Sequence, residues 1–139
     1  MIAAALSGSA PARRDLLIEG YASRFGEADK SGDIIRPGAF AESLKRGGIP
    51  MLLQHVNGAR VGRWVRMVED GRGLFVRGLI ESESAKKLAH AGIDGLSIGF
   101  RPRVWTPRRE PGRLLVKVDL VEVSLVTEPM LPSARFEMV

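Results

Sequence analysis

The feature that most constrains the fold is a short apolar stretch in which a single serine, Ser97, stands between Gly95 and Gly99. This spacing is that of the G-x-S-x-G turn of α/β hydrolases, in which a strand passes directly into a helix. Here the residues after Gly99 alternate in character and include Pro102, which indicates a strand. Ser97 is therefore predicted to lie on a strand. Two interpretations stay open: a nucleophile flanked by bare backbone that a substrate can approach, or a serine in a β-bulge that the glycines mark.

Turn residues divide most of the chain into strand-length segments. Strands are predicted at residues 16–25, 49–54, 61–68, 73–80 and 114–126, the third and fourth forming a hairpin. Short helices are predicted at residues 37–46 and between Ser82, a capping residue, and Gly92. This pattern predicts a mainly β fold, a closed or nearly closed antiparallel barrel with short helices packed outside. The 139 residues are predicted to form a single domain, with residues 1–13 frayed.

The composition excludes several classes of site. The chain has no cysteine, so disulfides, thiolate metal sites and cysteine nucleophiles are excluded. It has only two histidines, so a zinc site would need carboxylate ligands as well. Asp29, Ser31 and Asp33 resemble the start of a calcium-binding loop but lack its later ligands. We therefore expect no metal ion and no cofactor.

Charge and hydropathy bear on partners and location. The net charge is +5, and arginines gather in one region that holds Arg101, Arg103, Arg108, Arg109 and Arg113. This region is interpreted either as a solvated, mobile basic loop beside the site or as a surface for acidic partners or nucleic acid. No apolar run is long enough to cross a bilayer, and residues 1–6 are too short for a signal-peptide core. We expect a cytoplasmic protein that does not contact a membrane.

A serine nucleophile needs a base within hydrogen-bond reach, and that base needs an orienting partner. His90 falls in the last turn of a predicted helix, where the helix dipole favours a cation, and it is interpreted as a structural or surface residue. His55 ends a buried strand just before a turn, which makes it the only plausible base. The alternative is that His55 is an ordinary structural histidine.

Two acids on the last long strand, Asp119 and Glu122, are candidates for orienting that base. Alternation places them on opposite faces, so only one of them can face the site. Asp119 lies nearer the polar loop that ends at Gly112. Glu122 lies among apolar residues, where an unpaired carboxylate would be costly. Glu122 is therefore predicted to orient His55, and the alternative is that it pairs with an arginine and only supports the fold.

Four segments of the chain carry a family resemblance when they are taken in order. They are DIIRPGAF at 33–40, LQH at 53–55 followed by VG at 61–62, GLSIGF at 95–100, and DLVEVSLVT at 119–127. Together they resemble a tailed-phage prohead protease of the HK97 type, and the resemblance runs from about Gly20 to Ala134. That family is similar to the herpesvirus assemblins, serine endopeptidases built on an antiparallel barrel ringed by helices.

The resemblance implies a nucleophile at Ser97, a general base at His55 and a third member on the strand of Glu122. Assemblins use a second histidine as the third member, and this strand has none, so Glu122 rests on its position and surroundings. Assemblins also stabilise the oxyanion with an amide of an arginine-containing loop. The corresponding residues 127–130 hold no arginine here, and amides near Met130 are the expected substitute.

The implied function is that of a serine endopeptidase of capsid maturation, enclosed in the procapsid within the host bacterial cytoplasm. The expected substrates are the scaffold, the N-terminal region of the major capsid protein and, as a further candidate, the protease itself. A tailed phage and a phage-derived gene transfer agent both fit. No nucleic-acid partner is expected, and the oligomeric state stays open, with a homodimer as a candidate. The alternatives are a non-catalytic internal capsid or scaffold-binding protein that retains the fold, and a basic nucleic-acid-binding barrel.

Overall fold

The computed structural model describes residues 14–139, so the expectation for residues 1–13 lies outside the described part of the chain. Eight strands and two helices follow one another there. The strands are β1 (Leu16–Arg24), β2 (Ile34–Ile35), β3 (Pro50–Leu53), β4 (Arg60–Glu69), β5 (Gly73–Ile80), β6 (Gly95–Pro107), β7 (Arg113–Val126) and β8 (Phe136–Met138). The helices are α1 (Ala41–Arg46), between β2 and β3, and α2 (Glu83–His90), between β5 and β6. Neither helix of this part of the chain has the length and apolar character needed to span a membrane.

The five strands predicted from alternation are all present, with bounds that differ by no more than one residue. Helix α2 begins directly after Ser82, whose side chain accepts a hydrogen bond from the Ala85 amide, as a capping residue does. Helix α1 is shorter than predicted, because Gly38 adopts a positive φ of 92°. The carboxylate of Glu69 accepts hydrogen bonds from the amides of Gly38 and Phe40, which holds these residues in a turn before the helix.

Strand β7 is the strand on which the sheet is assembled. It pairs with β6 in antiparallel register along its whole length, and its other edge is shared by β2 and β3. Both β2 and β3 run parallel to β7, whereas an antiparallel barrel was predicted. Strand β2 pairs with the start of β7, and β3 pairs with its end, along the same edge. The chain passes from β2 through α1 back to that edge, so β3 runs in the same direction as β2.

The stretch of β7 between these two short partners would have unpaired backbone groups without help from α1. Ser43 of α1 supplies it, since its hydroxyl donates to the Val118 carbonyl and accepts from the Leu120 amide at 2.9 Å. The Val118 amide donates to the carbonyl of Ala39 at 3.2 Å. These bonds fix α1 against β7 and satisfy backbone groups of the strand at Val118 and Leu120.

The sheet curls toward a barrel but strand pairing does not close it. The order of strands is β2-β7-β3-β4-β5-β1-β8, with β6 attached to β7 as a branch. The start of β6 returns to the segment before β8 through an isolated bridge between Gly95 and Arg135. The Leu96 amide also donates to the Ala134 carbonyl at 2.9 Å. The barrel predicted from the sequence is thus present in an open form, with two parallel pairs of strands.

The interior is apolar and continuous. Its largest fully buried side chains include Ile18, Phe40, Met51, Leu74, Leu96 and Leu125. Fully burying one such side chain contributes roughly 1.5–3 kcal/mol, so the core can hold a few polar groups at its margin. The buried polar residues of β6 and β7 are Ser97, Glu122 and Ser124, and they lie together at one end of the β6–β7 pair.

Candidate active site

Strands β6 and β7 set the face on which Ser97 projects. Ser97 lies opposite Ser124 in the antiparallel register, and Gly99 lies opposite Glu122. Residues directly opposite one another project to the same face of a sheet, so Ser97, Ser124 and Glu122 share one face. Ser97 is only 3% exposed, which is expected for a strand residue packed between neighbours.

His55 reaches the same face because the chain turns sharply after β3. Gln54 and His55 both have positive φ, 53° and 62°. Residues other than glycine rarely occupy this region, and they stay there only when their surroundings hold them. Here the Gln54 amide donates to the Leu125 carbonyl at 2.9 Å, and the His55 amide donates to Ser124 Oγ at 3.1 Å. The turn therefore bends His55 back over β7.

The Glu122 carboxylate joins these elements. It is 7% exposed, and its Oε2 lies 2.6 Å from Nδ1 of His55. Its Oε1 accepts a hydrogen bond of 2.5 Å from the Ser124 hydroxyl. Burial of a carboxylate costs several kcal/mol unless its oxygens are satisfied, and here both oxygens have partners. The His55 ring, its backbone amide, Ser124 and Glu122 thus form a closed ring of hydrogen bonds that fixes the imidazole.

Ser124 is the site residue to which the sequence analysis assigned no role. It is fully buried, accepts from the His55 amide and donates to the carboxylate that His55 contacts. Its signal in the sequence is weak but present, because it lies two residues after Glu122 and therefore on the same face of an apolar strand.

The two glycines around Ser97 are required by the protein's own packing. A Cβ at Gly99 would lie 2.2 Å from Oε2 of Glu122, and a Cβ at Gly95 would lie 2.6 Å from the Val126 carbonyl oxygen. Two interpretations of these glycines were open, bare backbone for an approaching substrate and the mark of a β-bulge, and the register with β7 does shift between Gly99 and Phe100. The structure gives Gly99 another reason: the space beside its Cα is filled by the carboxylate that contacts His55.

Asp119 and His90 lie outside this cluster. Glu122 lies opposite Gly99 and Asp119 lies opposite Arg101, so a register shift at Val121 breaks the alternation that predicted opposite faces for the two acids. Asp119 is instead kept from His55 by its own partners, since Nη1 of Arg103 is 3.0 Å and Nη2 of Arg46 is 3.3 Å from its Oδ1. The hydrogen bond from Arg103 holds the pKa of Asp119 below its usual range. His90 is the exposed last residue of α2.

An open groove of about 510 Å³ passes over the site. Ser97, His55 and Met130 all line it, and a narrower pocket whose wall includes Ser97 and Leu131 adjoins it. Ser97 Oγ has no hydrogen bond within residues 14–139. Hydrogen bonds between a nucleophile and its base are often long when no substrate is bound, so this arrangement is compatible with a reactive serine.

The wall of the groove is held by the loop that the sequence analysis compared with a calcium site. The Asp29 carboxylate accepts from the amides of Ser31 and Asp33, and burial raises the pKa of Asp29. Asp33 accepts two side-chain bonds from Arg113, at 2.7 and 3.2 Å, and these lower the pKa of Asp33. These acids therefore connect the loop internally and to the start of β7.

The mobile loop predicted for the basic region is wrong, because several of its arginines are held by strand pairing or by hydrogen bonds. Arg101 and Arg103 belong to β6, which continues to Pro107, and Arg103 is paired with Asp119. Arg108 donates to the Gly32 carbonyl at 2.5 Å, so it is fixed as well. The strand continues through Pro102 because the register shifts between Pro102 and Val104.

Known sequences match this chain at two levels, a family profile and a single relative. A family profile described as "Caudovirus prohead serine protease" matches residues 6–139. The prohead protease of Enterobacteria phage HK97 is 36% identical over 93 residues, which cover 60% of this chain and 41% of that protein. The chain thus spans about two fifths of the length of this relative.

Comparison with solved structures bears on the fold alone. KSHV protease, in complex with a hexapeptide phosphonate inhibitor, superposes with a TM-score of 0.61 at 15% identity. The match covers 90% of this chain and 65% of that one. Varicella-zoster virus protease gives a TM-score of 0.46 at 18% identity, over 76% of this chain and 57% of its own. The first of these likenesses shows that the sheet and helices have the arrangement of a herpesvirus protease.

Proposed function

The chain belongs to the caudovirus prohead serine protease family, and on that premise we propose that it is a serine endopeptidase of capsid maturation. We assign Ser97 as nucleophile, His55 as general base and Glu122 as the residue that orients the base. The observation that carries the assignment is the 2.6 Å contact between Glu122 Oε2 and His55 Nδ1, in a groove that Ser97 also lines.

The roles follow from which nitrogen of the His55 ring carries the proton. The carboxylate beside Nδ1 favours the tautomer in which Nδ1 carries the proton, and this leaves the lone pair of Nε2 free. Nε2 then removes the proton from Ser97 Oγ as the oxygen attacks the scissile carbonyl. The protonated ring gives that proton to the leaving amine, and water attacks the acyl-serine in the second half-reaction with the same base. Glu122 stabilises the positive charge of the ring while it holds the proton.

The tetrahedral intermediate needs donors to its oxyanion. We propose backbone amides of the segment around Met130 for this role, because Met130 lines both the groove and the adjoining pocket together with Ser97. The buried Pro129 packs near Gly95, so this segment lies against the beginning of β6.

We propose the scaffold, the N-terminal region of the major capsid protein and the protease itself as substrates. Family membership supports this, and an open groove beside a strand is suited to an extended polypeptide. The protein would act inside the procapsid, in the host bacterial cytoplasm, in either a tailed phage or a phage-derived gene transfer agent. A homodimer is the oligomeric state that we propose to examine first.

Co-expression with the major capsid protein that is its proposed substrate tests the proposal. Intact-mass measurement should show a shortened capsid protein with the wild-type chain and the full-length one with Ser97→Ala. The exchange removes only one oxygen from a buried position, so the variant should fold and show the same circular dichroism. Processing at the wild-type rate by Ser97→Ala would instead favour the alternative, a non-catalytic capsid or scaffold-binding protein that retains the protease fold.

A further inference from the structure

A second groove, of about 500 Å³, lies between the end of α1 and strand β4. We call it the β4 groove. Its lining combines apolar and basic side chains, namely Leu44, Ile49, Trp64, Val65 and Met67 with Arg60, Arg63 and Arg66. Gly47 and Gly48 form its rim on the α1 side, and a Cβ at either would have no neighbour within 4 Å. The groove shares no lining residue with the groove over Ser97.

The spacing of the arginines would ordinarily scatter them, because residues three apart on a strand project to opposite faces. For Arg60 and Arg63, irregular pairing with β3 prevents this separation onto opposite faces. Arg63 lies opposite Pro50 and Arg60 lies opposite Leu52, and a register shift accounts for the extra residue on β4. Pro50 and Leu52 are two apart and share a face, so Arg60 and Arg63 share it too.

A second bulge, on the β5 side, does the same for the third arginine. Arg63 lies opposite Leu79 and Arg66 lies opposite Arg77, with Val65 as the extra residue. Leu79 and Arg77 are also two apart. Arg63 and Arg66 therefore share a face, and the two bulges together place all three arginines in a row on one side of β4.

This row carries uncompensated positive charge. Arg60 and Arg66 have no carboxylate partner within residues 14–139. Nε of Arg63 lies 3.8 Å from Glu81, a long contact in which both side chains are exposed. Arg77, across the strand from Arg66, is already neutralised by Glu19. Such a row attracts anions at low ionic strength and is screened by salt.

The interior of the groove is apolar and unpartnered. Pairing between β3 and β4 ends at Arg63 and Pro50, so no strand among residues 14–139 covers that edge of β4 beyond Arg63. Val65 is 50% exposed there. The indole Nε1 of Trp64 is buried and has no acceptor within the described part of the chain. Of the apolar side chains that line this groove, Val65 is the most exposed and is therefore the one that a partner can cover.

We propose that the β4 groove is a docking site for an acidic, amphipathic segment of a partner polypeptide. Carboxylates of that segment pair with Arg60, Arg63 and Arg66, and its apolar side chains pack on Val65. Nucleic acid fits less well, because a phosphate backbone would use the arginines and leave the apolar interior exposed. Strand β4 starts where the turn that carries His55 ends, so a docked chain is held beside the turn that positions the base.

Fluorescence anisotropy with a labelled peptide of repeating Glu-Ala-Leu-Glu tests the proposal. We use the Ser97→Ala form of the chain, so that binding is measured without hydrolysis and the result does not depend on the proposed activity. Arg60→Glu with Arg66→Glu should lower the affinity by about tenfold or more. Arg72→Glu with Arg109→Glu makes the same change in net charge on two hairpin turns and should leave the affinity within about twofold, because these arginines lie outside the groove.

Further probes separate the apolar and charged parts. Val65→Ser should lower the affinity for the Glu-Ala-Leu-Glu peptide more than the affinity for poly-glutamate. Arg60→Gln with Arg66→Gln should lower the affinity for the peptide, as the charge-reversal variant does. An equal loss in the Arg72 and Arg109 control would show that only net charge matters and would overturn the proposal. Duplex DNA that binds more tightly than the peptide, and loses affinity in the Arg60 and Arg66 variant, would overturn it in favour of a nucleic-acid surface.

Discussion

Strand β7 carries two carboxylates three residues apart, and their surroundings are opposite in kind. Asp119 projects outward, about a quarter exposed, between the guanidinium groups of Arg46 and Arg103. Glu122 is buried, and its partners are a serine hydroxyl and a histidine ring. Asp119 is thus held by full positive charges in contact with solvent, whereas Glu122 is held by directed hydrogen bonds in the interior.

The two carboxylates differ in what their surroundings cost and in what they hold in place. An exposed ion pair between long side chains adds little, because water and salt screen it. A buried carboxylate is costly, and Glu122 persists only because Ser124 and His55 satisfy both of its oxygens. Asp33, the other buried carboxylate of the described residues, is neutralised by Arg113. Glu122 instead contacts the imidazole of His55, which is the arrangement expected of an orienting residue.

The largest expected effects are those of replacing Ser97 and His55, the proposed nucleophile and base. Ser97→Ala and His55→Ala should each lower kcat for processing by about 10⁴-fold or more, and the double variant should be no worse, because members of a triad act as a unit. His90→Ala, an exposed change at the end of α2, should be nearly silent. Additive losses in the double variant would show that the two residues act separately.

Direct exchange of the two carboxylates tests the comparison itself. Glu122→Gln keeps the shape but removes the charge, and it should lower kcat by about 10²-fold or more through loss of the correct tautomer and of charge stabilisation. Asp119→Asn should leave kcat within about twofold, because the partners of Asp119 are Arg46 and Arg103 and not His55. The opposite ranking in steady-state kinetics would mean that Asp119 is the orienting acid.

Replacement of Gly99 tests whether the space that the Glu122 side chain occupies is as necessary for activity as its charge. Gly99→Ala places a Cβ 2.2 Å from Oε2, so the carboxylate must move away from His55. We expect a loss of kcat of about tenfold or more and a destabilisation of about 1–3 kcal/mol in urea unfolding. Gly71→Ala is the matched control, since nothing lies within 4 Å of its Cβ. Equal behaviour of the two variants would mean that Glu122 can relocate without consequence.

The smallest effect is expected for Ser124. Ser124→Ala removes the donor to Glu122 and the acceptor for the His55 amide, and should destabilise the protein by about 1–3 kcal/mol. Because the Glu122 contact with His55 survives, activity should fall less than in Glu122→Gln. Ser84→Ala, an exposed change at the start of α2, is the control. A kcat as low as that of Glu122→Gln would place Ser124 among the essential groups.

Local pattern was sufficient for some of these features and not for others. Alternation predicted β7, because a strand pattern depends on neighbouring residues alone. It did not predict the register shift at Val121 between Asp119 and Glu122, because that shift depends on pairing with β6. The parallel pairing of β2 and β3 with β7 depends on which distant segments share an edge, and no local signal reports that. Composition misplaced Arg101 and Arg103 in a loop, since proline and arginine favour loops and only pairing with β7 makes them a strand. The role of Ser124 depends on the turn after β3, in which Gln54 and His55 adopt positive φ, and the sequence pattern does not predict that conformation.

The central claim is that Ser97 is a nucleophile activated by His55, and active-site labelling tests it most directly. A fluorophosphonate reagent transfers its phosphonyl group to an activated serine oxygen, with loss of fluoride, and peptide mass spectrometry locates the adduct. We expect one adduct, on Ser97, formed much more slowly in Glu122→Gln and at the wild-type rate in Asp119→Asn. An unlabelled Ser97, or an adduct on another residue with Ser97 free, would contradict the account.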